Sequence, residues 1–419
     1  MTGFTHQNNE LYAEQLSVSE LAERFGTPLY VYSRAALEAG FKRYASPLKD
    51  RPHKICYAVK ANGNLSILKR LAQLGAGFDI VSEGELKRVL AAGGDPSRVV
   101  FSGVGKQRRE IRSALTAGIY CFNVESKSEL IRIQEEAKAM GSKANVSLRV
   151  NPDVDAKTHA YISTGLKNNK FGIAYNKALE VYRYAATLSH IRIMGIDCHI
   201  GSQLTDTSPL LAALDRLLVL VDALQKEGIT LQHIDIGGGL GICYRDEKEP
   251  SVSDYLDDVI QHLGNRKLEL VVEPGRSVIA HAGILLTRVE LLKSSEFRSF
   301  AVVDAAMSDN FRPALYGAWQ RIEPVAQSGR EHLSSKKYDI VGPVCETADF
   351  LGKDRTMALE EGDLLAMHSA GAYGFVMSSN YNCRNRPAEI MVERDQAYLI
   401  RRRETIDDQL AYETPYLDN

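Results

Sequence analysis

Apolar and polar positions follow two rhythms along this chain, and the change between them divides it. Short apolar runs recur from Lys54 onward, at 55–60, 78–81, 99–102, 121–124, 146–150, 194–200, 234–236 and 268–273. Each predicts a buried strand. Between them the apolar positions return at helical spacing, at 65–74, 83–92, 108–117, 127–140, 177–188, 209–227 and 253–263. Buried strands alternating with amphipathic helices predict parallel βα units. Eight such units fit a closed (β/α)8 TIM-like barrel better than an open doubly wound sheet.

The rhythm ends after Pro274. Strands are expected at 284–292, 300–304, 338–344, 363–369 and 389–394, with turns and few helices between them, and the tail at 399–419 is mostly polar. The fold class expected is therefore α/β: a barrel over 34–280, plus a β-rich barrel or sandwich domain over 1–33 and 281–419. Before the barrel, a helix is expected at 16–25, a strand at 29–32 that joins the β-rich domain, and a helix at 34–45. The polar stretch 1–10 lacks the basic-then-apolar pattern of a signal peptide and reads as a short disordered tail.

Composition narrows the class. Of 419 residues, 44% are hydrophobic and 25% charged, which suits a globular protein, and the net charge of −2 gives no field that favours nucleic acid or a membrane. No apolar run is long enough to span a bilayer. The cysteines Cys56, Cys121, Cys198, Cys243, Cys345 and Cys383 form no C-x-x-C pair. They read as reduced thiols of a cytoplasmic protein, and no zinc spacing or other metal site is expected. Cys198 and His199 are adjacent on a strand, so their side chains point to opposite faces.

In a barrel of this kind the chemistry sits at the C-terminal ends of the strands. The first strand runs through Tyr57-Ala58-Val59 to Lys60 and a Gly/Asn turn at Asn62-Gly63-Asn64. A lysine with a low-dielectric wall behind it becomes a nucleophile towards an aldehyde, although a lone lysine at a strand end more often just reaches water. The second strand carries Asp79. The sixth ends in His199-Ile200-Gly201-Ser202-Gln203, the seventh in Gly237-Gly238-Gly239-Leu240-Gly241, and the eighth in Glu273-Pro274-Gly275-Arg276. The glycine run lets backbone amides approach an anion such as phosphate. It fails the dinucleotide fingerprint, because Ile242 stands where the third glycine is needed. Glu273 either faces a cationic partner or forms an ion pair with Arg276. A single histidine such as His199 is more often a satisfied core residue. In the β-rich part, Phe311-Arg312-Pro313-Ala314-Leu315-Tyr316 sets a cation and a phenol on an apolar segment. Gly342-Pro343-Val344-Cys345-Glu346-Thr347-Ala348-Asp349 ends a strand in a thiol and acids, and Gly371-Ala372-Tyr373-Gly374 displays one aromatic in a turn. Taken singly, each is a loop with solvated charges. Together with Arg276 they suit a substrate bearing carboxylate and amine groups.

These motifs, in this order from about Thr27 to Arg386, resemble those of the fold-type III pyridoxal-phosphate decarboxylases, within them the branch acting on diaminopimelate. The resemblance implies that Lys60 holds pyridoxal 5'-phosphate, that His199 stacks on its ring, that Glu273 pairs with the ring nitrogen and that Asp79 lies near the Lys60 end. It also implies that Ser202, Gly237, Gly238, Gly239, Gly275, Arg276 and Tyr373 surround the phosphate. Arg276, Arg312 and Tyr316 would then bind the distal carboxylate of meso-2,6-diaminopimelate, Glu346 its distal amine, and Cys345 would donate a proton. A homodimer with shared active sites, the Cys345-Glu346 loop coming from the partner subunit, is implied in the same way; neither nucleic acid nor membrane is. Rival readings are an ornithine- or arginine-type decarboxylase, a racemase on the same barrel and a non-catalytic carrier of the cofactor. Thr347 stands where serine is common in the family, a swap that keeps the hydroxyl. The loop at 151–170, long and polar, is expected to act as a lid.

Overall fold

The computed structural model describes residues 3–155, 170–328, 330 and 332–415. The expected lid loop falls mostly at 156–169, outside the described residues. The chain forms two compact units: one of Gly40–Cys243 and Glu247–Val278, the other of Met1–Ala39, Tyr244–Asp246 and Ile279–Asn419.

The first unit is a closed barrel of eight parallel strands: His53–Ala58, Gly77–Ile80, Val99–Phe101, Cys121–Val124, Ala144–Asn151, Ile191–Asp197, His233–Asp235 and Glu269–Val272. Each pairs with the next in the chain, and the last pairs with the first. Ile173–Ala174 adds a short extra strand against Val150 and Asn151. The helices between strands start where the sequence offers a cap. Ser82, Ser126 and Ser251 each accept a hydrogen bond from a backbone N–H in the first turn, at Glu85, Glu129 and Asp254, which removes one of the unpaired donors of a helix start.

Side chains alternate along each strand, so every second residue fills the barrel interior, and the interior is layered. At one end Lys54 Nζ lies 2.7 Å from both carboxylate oxygens of Glu269, and the Tyr120 hydroxyl donates to the same carboxylate at 2.7 Å. The middle layer is apolar and thiol: Cys56, Val100, Cys121 and Val271. Two residues further along the strands, at their C-terminal ends, the layer is polar again, with Asp79, Asn123, Arg149, Asp197 and Asp235, all buried.

One cation is buried in the loop after the third strand. Lys106 is 2% exposed, and its Nζ donates to Gly103 O, Asn123 O and the Glu129 carboxylate at 2.8, 2.8 and 2.9 Å. Lys106→Met fits the space but strands a buried carboxylate and two carbonyls. It is expected to cost about 3–5 kcal/mol, read from the midpoint of urea unfolding.

Among the described residues the second unit holds a nine-stranded sheet and a separate three-stranded one near the N-terminus. Leu29–Ser33 lies between Gly283–Ser294, antiparallel, and Ala388–Glu393, parallel. Gly283–Ser294 also pairs with Ser299–Val303 and Leu364–Met367, and Lys336–Val341 pairs with Ser299–Val303 and Phe350–Met357. All five residues of Leu29–Ser33 are buried, because both faces are covered. Leu29 and Val31 pack with Ile284, Leu286, Ile390 and Val392. On the other face the Tyr30 hydroxyl donates to Asp309 O at 2.8 Å and the Tyr32 hydroxyl to Glu389 at 2.7 Å.

Four expectations are corrected here. Within the expected disordered tail at 1–10, the described residues 3–10 are ordered: Phe4–Gln7 and Glu10–Ala13 form a hairpin that buries Phe4, Leu11 and Ala13. Its turn is Asn8-Asn9, both at positive φ, the backbone that two-residue hairpins need. The first barrel strand stops at Ala58, and Lys60 sits in a 3-10 turn, Val59–Ala61. Phe350–Met357 is a strand that the sequence rhythm did not announce. The polar tail holds a strand, Gln396–Arg401, and a short helix, Ile406–Leu410.

Candidate active site

The C-terminal mouth of the barrel gathers the strand-end residues. The first strand ends when Ala58 N–H turns to Pro274 O at 3.1 Å. The turn that follows buries Val59 and Ala61 and sends Lys60 outward. Its Nζ lies 2.7 Å from Asp79 Oδ2, and the lysine side chain is 35% exposed while that of Asp79 is fully buried. Ala58 and Asp79 are register partners, so both face the interior. Lys60 is thus an ion-paired amine at the rim, not a fully desolvated strand-end lysine. Asp79 Oδ1 is buried with no hydrogen-bond partner. Nearby, the Glu85 carboxylate accepts the Val81 N–H at 2.7 Å, and burial pushes it up to about 7.

His199 follows the sixth strand. Its Nδ1 accepts the Gly238 N–H at 3.1 Å, which leaves the ring proton on Nε2. Burial, then the charges of Arg149 and Lys60, hold the imidazole well below its ordinary range. It is a neutral ring with a fixed tautomer.

The glycines are required by close backbone packing. A Cβ on Gly237 would meet Cys198 O at 2.6 Å, one on Gly238 would meet Glu273 O at 2.2 Å, and one on Gly239 would meet Gly201 O at 2.5 Å. Gly237 and Gly239 also stand at φ of 65° and 115°, which only glycine adopts without strain. The run therefore locks the ends of the sixth, seventh and eighth strands together. Arg276 Nη2 donates to Ser202 Oγ at 3.0 Å across the same rim. A Cβ on Gly275 would lie 3.0 Å from Ala61 Cβ, so the backbone beside Arg276 packs on the Lys60 turn.

Glu273 does not pair with Arg276. Its Oε1 accepts from Asn123 Nδ2 at 3.2 Å and, more weakly, from Ser102 Oγ at 3.4 Å. Burial, then the charges of Asp235, Asp79 and Asp197, push its carboxyl well above the usual range, while Lys60 pulls the other way.

The β-rich unit holds the remaining candidates. Arg312 opens the helix Arg312–Tyr316 and is 6% exposed, with its guanidinium 4.5 Å above the Tyr244 ring. Cys345 and Glu346 lie on an exposed loop. That loop is held by Asp349, whose carboxylate accepts the Val344 and Met307 N–H groups at 2.7 and 2.6 Å. The Cys345 N–H donates to Asn382 Oδ1 at 2.8 Å, and the Tyr381 hydroxyl reaches Glu346 at 3.4 Å. Tyr373 stands at φ 56°, a backbone state that is unusual for an aromatic residue and typical of built sites.

Residues 34–280 match the family described as "Pyridoxal-dependent decarboxylase, pyridoxal binding domain". The diaminopimelate decarboxylase of Pseudomonas aeruginosa is 59% identical over 414 residues, 99% of each chain. This chain belongs to the diaminopimelate decarboxylase family. Solved members have the same fold. The enzyme of M. jannaschii in complex with L-lysine superposes with a TM-score of 0.93 at 38% identity, over 99% of this chain and 98% of that one. That of Helicobacter pylori, also with L-lysine, gives 0.90 at 42% identity over 94% and 98%.

As a diaminopimelate decarboxylase family member, the chain keeps its barrel-mouth candidates (Lys60, Asp79, His199, Ser202, Gly237, Gly238, Gly239, Glu273, Gly275, Arg276) in one unit. Arg312, Tyr316, Cys345, Glu346 and Tyr373 are in the other. Sequence reading missed Asn123, Ser102, Arg149, Asp197 and Asp235. The available signal was a polar residue inside each apolar run, as in Ile234-Asp235-Ile236 and Ile196-Asp197-Cys198. Asn123 holds both Glu273 and Ser102, and Arg149 pairs with Glu125 at 2.9 Å.

Proposed function

We propose that this chain decarboxylates meso-2,6-diaminopimelate to L-lysine and carbon dioxide, with pyridoxal 5'-phosphate held at the barrel mouth. The observation that carries this is the placement at one barrel mouth of a rim amine, Lys60, a neutral histidine, His199, and a buried carboxylate, Glu273. This donor set fits the group: an amine for the aldehyde, a flat neutral ring for the pyridine face, and an acid for the ring nitrogen. Bound there, the cofactor supplies an electron sink for the pair left when carbon dioxide departs.

The protein's own groups do the rest. Asp79 orients the Lys60 amine and matches its charge. Ser202, Gly237, Gly238, Gly239, Gly275, Arg276 and Tyr373 receive the phosphate. Arg276, Arg312 and Tyr316 take the distal carboxylate of the substrate and Glu346 its distal amine, so both distal charges meet opposite ones. Cys345 gives its thiol proton to the substrate carbon that has lost carbon dioxide. In this reading the Cys345-Glu346 loop serves the site of a second copy in a homodimer, and the free thiols suit a cytoplasmic enzyme.

The test is product formation from meso-diaminopimelate, with ornithine and arginine in parallel and Lys60→Ala as the blank. Lysine and carbon dioxide from diaminopimelate alone are expected, while turnover of ornithine or arginine would overturn the substrate assignment. Cys345→Ala is expected to lower kcat roughly 10²-fold or more. KM should change little, as saturation kinetics would report.

A further inference from the structure

Beneath the proposed cofactor position lie three carboxyl groups that the mechanism above leaves unused or half used. One oxygen each from Asp197, Asp235 and Glu273 lie within 4.8 Å of one another, and the residues are 1%, 0% and 5% exposed. The barrel puts them there: Asp197 and Asp235 are register partners on adjacent parallel strands and face the same way. Glu273 follows the next strand, and its N–H is fixed to Gly237 O at 2.8 Å.

The cations around this cluster are each paired with another acid and act on the cluster only from a distance. Lys60 pairs with Asp79 and Arg149 with Glu125; Arg149 still pulls Asp197 down and Lys60 pulls Glu273 down, against the larger effect of burial, and His199 is neutral. Asn123 and Ser102 bring hydrogen bonds but no charge; Cys56 and Cys121, in the layer below, are thiols that burial pushes well up. Asp235 Oδ1 accepts the Gly237 N–H at 2.8 Å, while Asp235 Oδ2 and Asp197 Oδ1 are buried without a partner. Two ionised carboxylates cannot stand side by side in such a place.

We propose that Asp235 is a positioning residue for Glu273: the two carboxyl groups share one proton, and the pair presents a single negative charge to the cofactor ring. The proton stays within the pair, and no bond to carbon forms or breaks. One charge is what a protonated ring nitrogen can match; two would leave an unpaired buried anion. Burial is the first cause that pushes Asp235 up, to about 6, and a Glu273 carboxyl oxygen lies within 4.8 Å of one of its own. Asp197, pushed well up by burial and then by the Asp235 charge, is the third member and remains protonated. The catalytic half of this proposal rests on the reading of Glu273 as the partner of the ring nitrogen.

The test uses the cofactor-free protein first. A folded state that retains a proton the unfolded chain releases loses stability as pH rises from about 4, the unfolded value, through the folded value. Asn is a neutral isostere of a protonated Asp, so Asp235→Asn removes that proton linkage. Between pH 5 and 8 the variant is expected to gain stability relative to wild type. Unfolding should be linked to about one proton fewer, up to about tenfold in the unfolding constant per pH unit. Glu273→Gln should do the same, and the double variant should do no more than either, because the proton is shared. An unchanged pH slope in Asp235→Asn, or additive slopes in the double variant, would overturn the shared proton. Glu273→Gln is the second variant if Asp235→Asn does not fold. Asp197→Asn replaces a separately protonated acid by its neutral isostere, so it should remove its own proton linkage, add to the effect of Asp235→Asn and leave the pair's linkage unchanged; an effect that does not add to Asp235→Asn would overturn the assignment of the shared proton to Asp235 and Glu273. A separate arm titrates pyridoxal phosphate into wild type and Glu273→Gln. Weaker binding in the variant, with altered pH dependence, supports the link to the ring. Binding identical to wild type would overturn the ring-nitrogen reading and the catalytic half of the proposal.

Discussion

Lys60→Ala is expected to remove decarboxylation almost entirely, by at least about 10³-fold in kcat/KM, which corresponds to roughly 4 kcal/mol of lost transition-state stabilisation. The argument is geometric. The 3-10 turn Val59–Ala61 anchors its two apolar neighbours and leaves only the lysine at the rim. Asp79, fully buried and 2.7 Å from the amine, has that cation as its counter-charge. Alanine therefore removes the proposed attachment point for an aldehyde and also strands a buried carboxylate. Two measurements separate these effects. Reduction with borohydride should fix the cofactor's mass on wild-type protein at the peptide containing Lys60, and not on the variant. Thermal unfolding of the cofactor-free variant reports the cost at Asp79. Fixation at another lysine would overturn the role given to Lys60.

Arg312→Ala is expected to lower kcat/KM for meso-diaminopimelate by about 10²- to 10³-fold, the range for truncating one partner of a buried, hydrogen-bonded charge pair. Arg312 is buried at the start of a short helix and braced over the Tyr244 ring at 4.5 Å, so its guanidinium is pre-positioned. Arg312→Lys keeps the charge but not the planar fork, and an intermediate loss is expected. The comparison that decides is with ornithine, a diamino acid lacking the distal carboxylate, used as a competitive inhibitor. Its inhibition constant should be unaffected by Arg312→Ala while kcat/KM for diaminopimelate falls. If inhibitor binding and kcat/KM fall equally, Arg312 is a structural residue of the β-rich unit and the distal-carboxylate reading falls.

The buried carboxylate cluster sits at the polar mouth of a layered interior. The interior alternates between an ion-paired floor at Lys54 and Glu269, an apolar middle at Cys56, Val100, Cys121 and Val271, and a polar mouth. The apolar middle keeps water from the mouth acids, and that desolvation raises them. Filling or charging the middle layer, for instance at Val271, should therefore change the titration at the mouth as well as stability.

The sequence by itself determined the strand and helix order of the barrel, because short continuous apolar runs and 3.6-residue amphipathicity are local properties that a single chain displays. It also marked Lys60, His199, Glu273 and the glycine run, since special residues at strand ends interrupt otherwise apolar runs. Elements whose stability comes from pairing were hidden. Phe350–Met357 carries Gly352, Lys353 and Asp354 in its middle and is a strand because Lys336–Val341 supplies its hydrogen bonds. The hairpin at Phe4–Gln7 and Glu10–Ala13 is polar on one face and depends on a core built from Leu29, Ile284 and Ile390. Only the tertiary structure decided that Asp197, Asp235 and Glu273 meet. Their spacing along the chain says nothing of it; barrel closure and in-register parallel pairing bring three strand ends together, and the exclusion of water makes their charges interact.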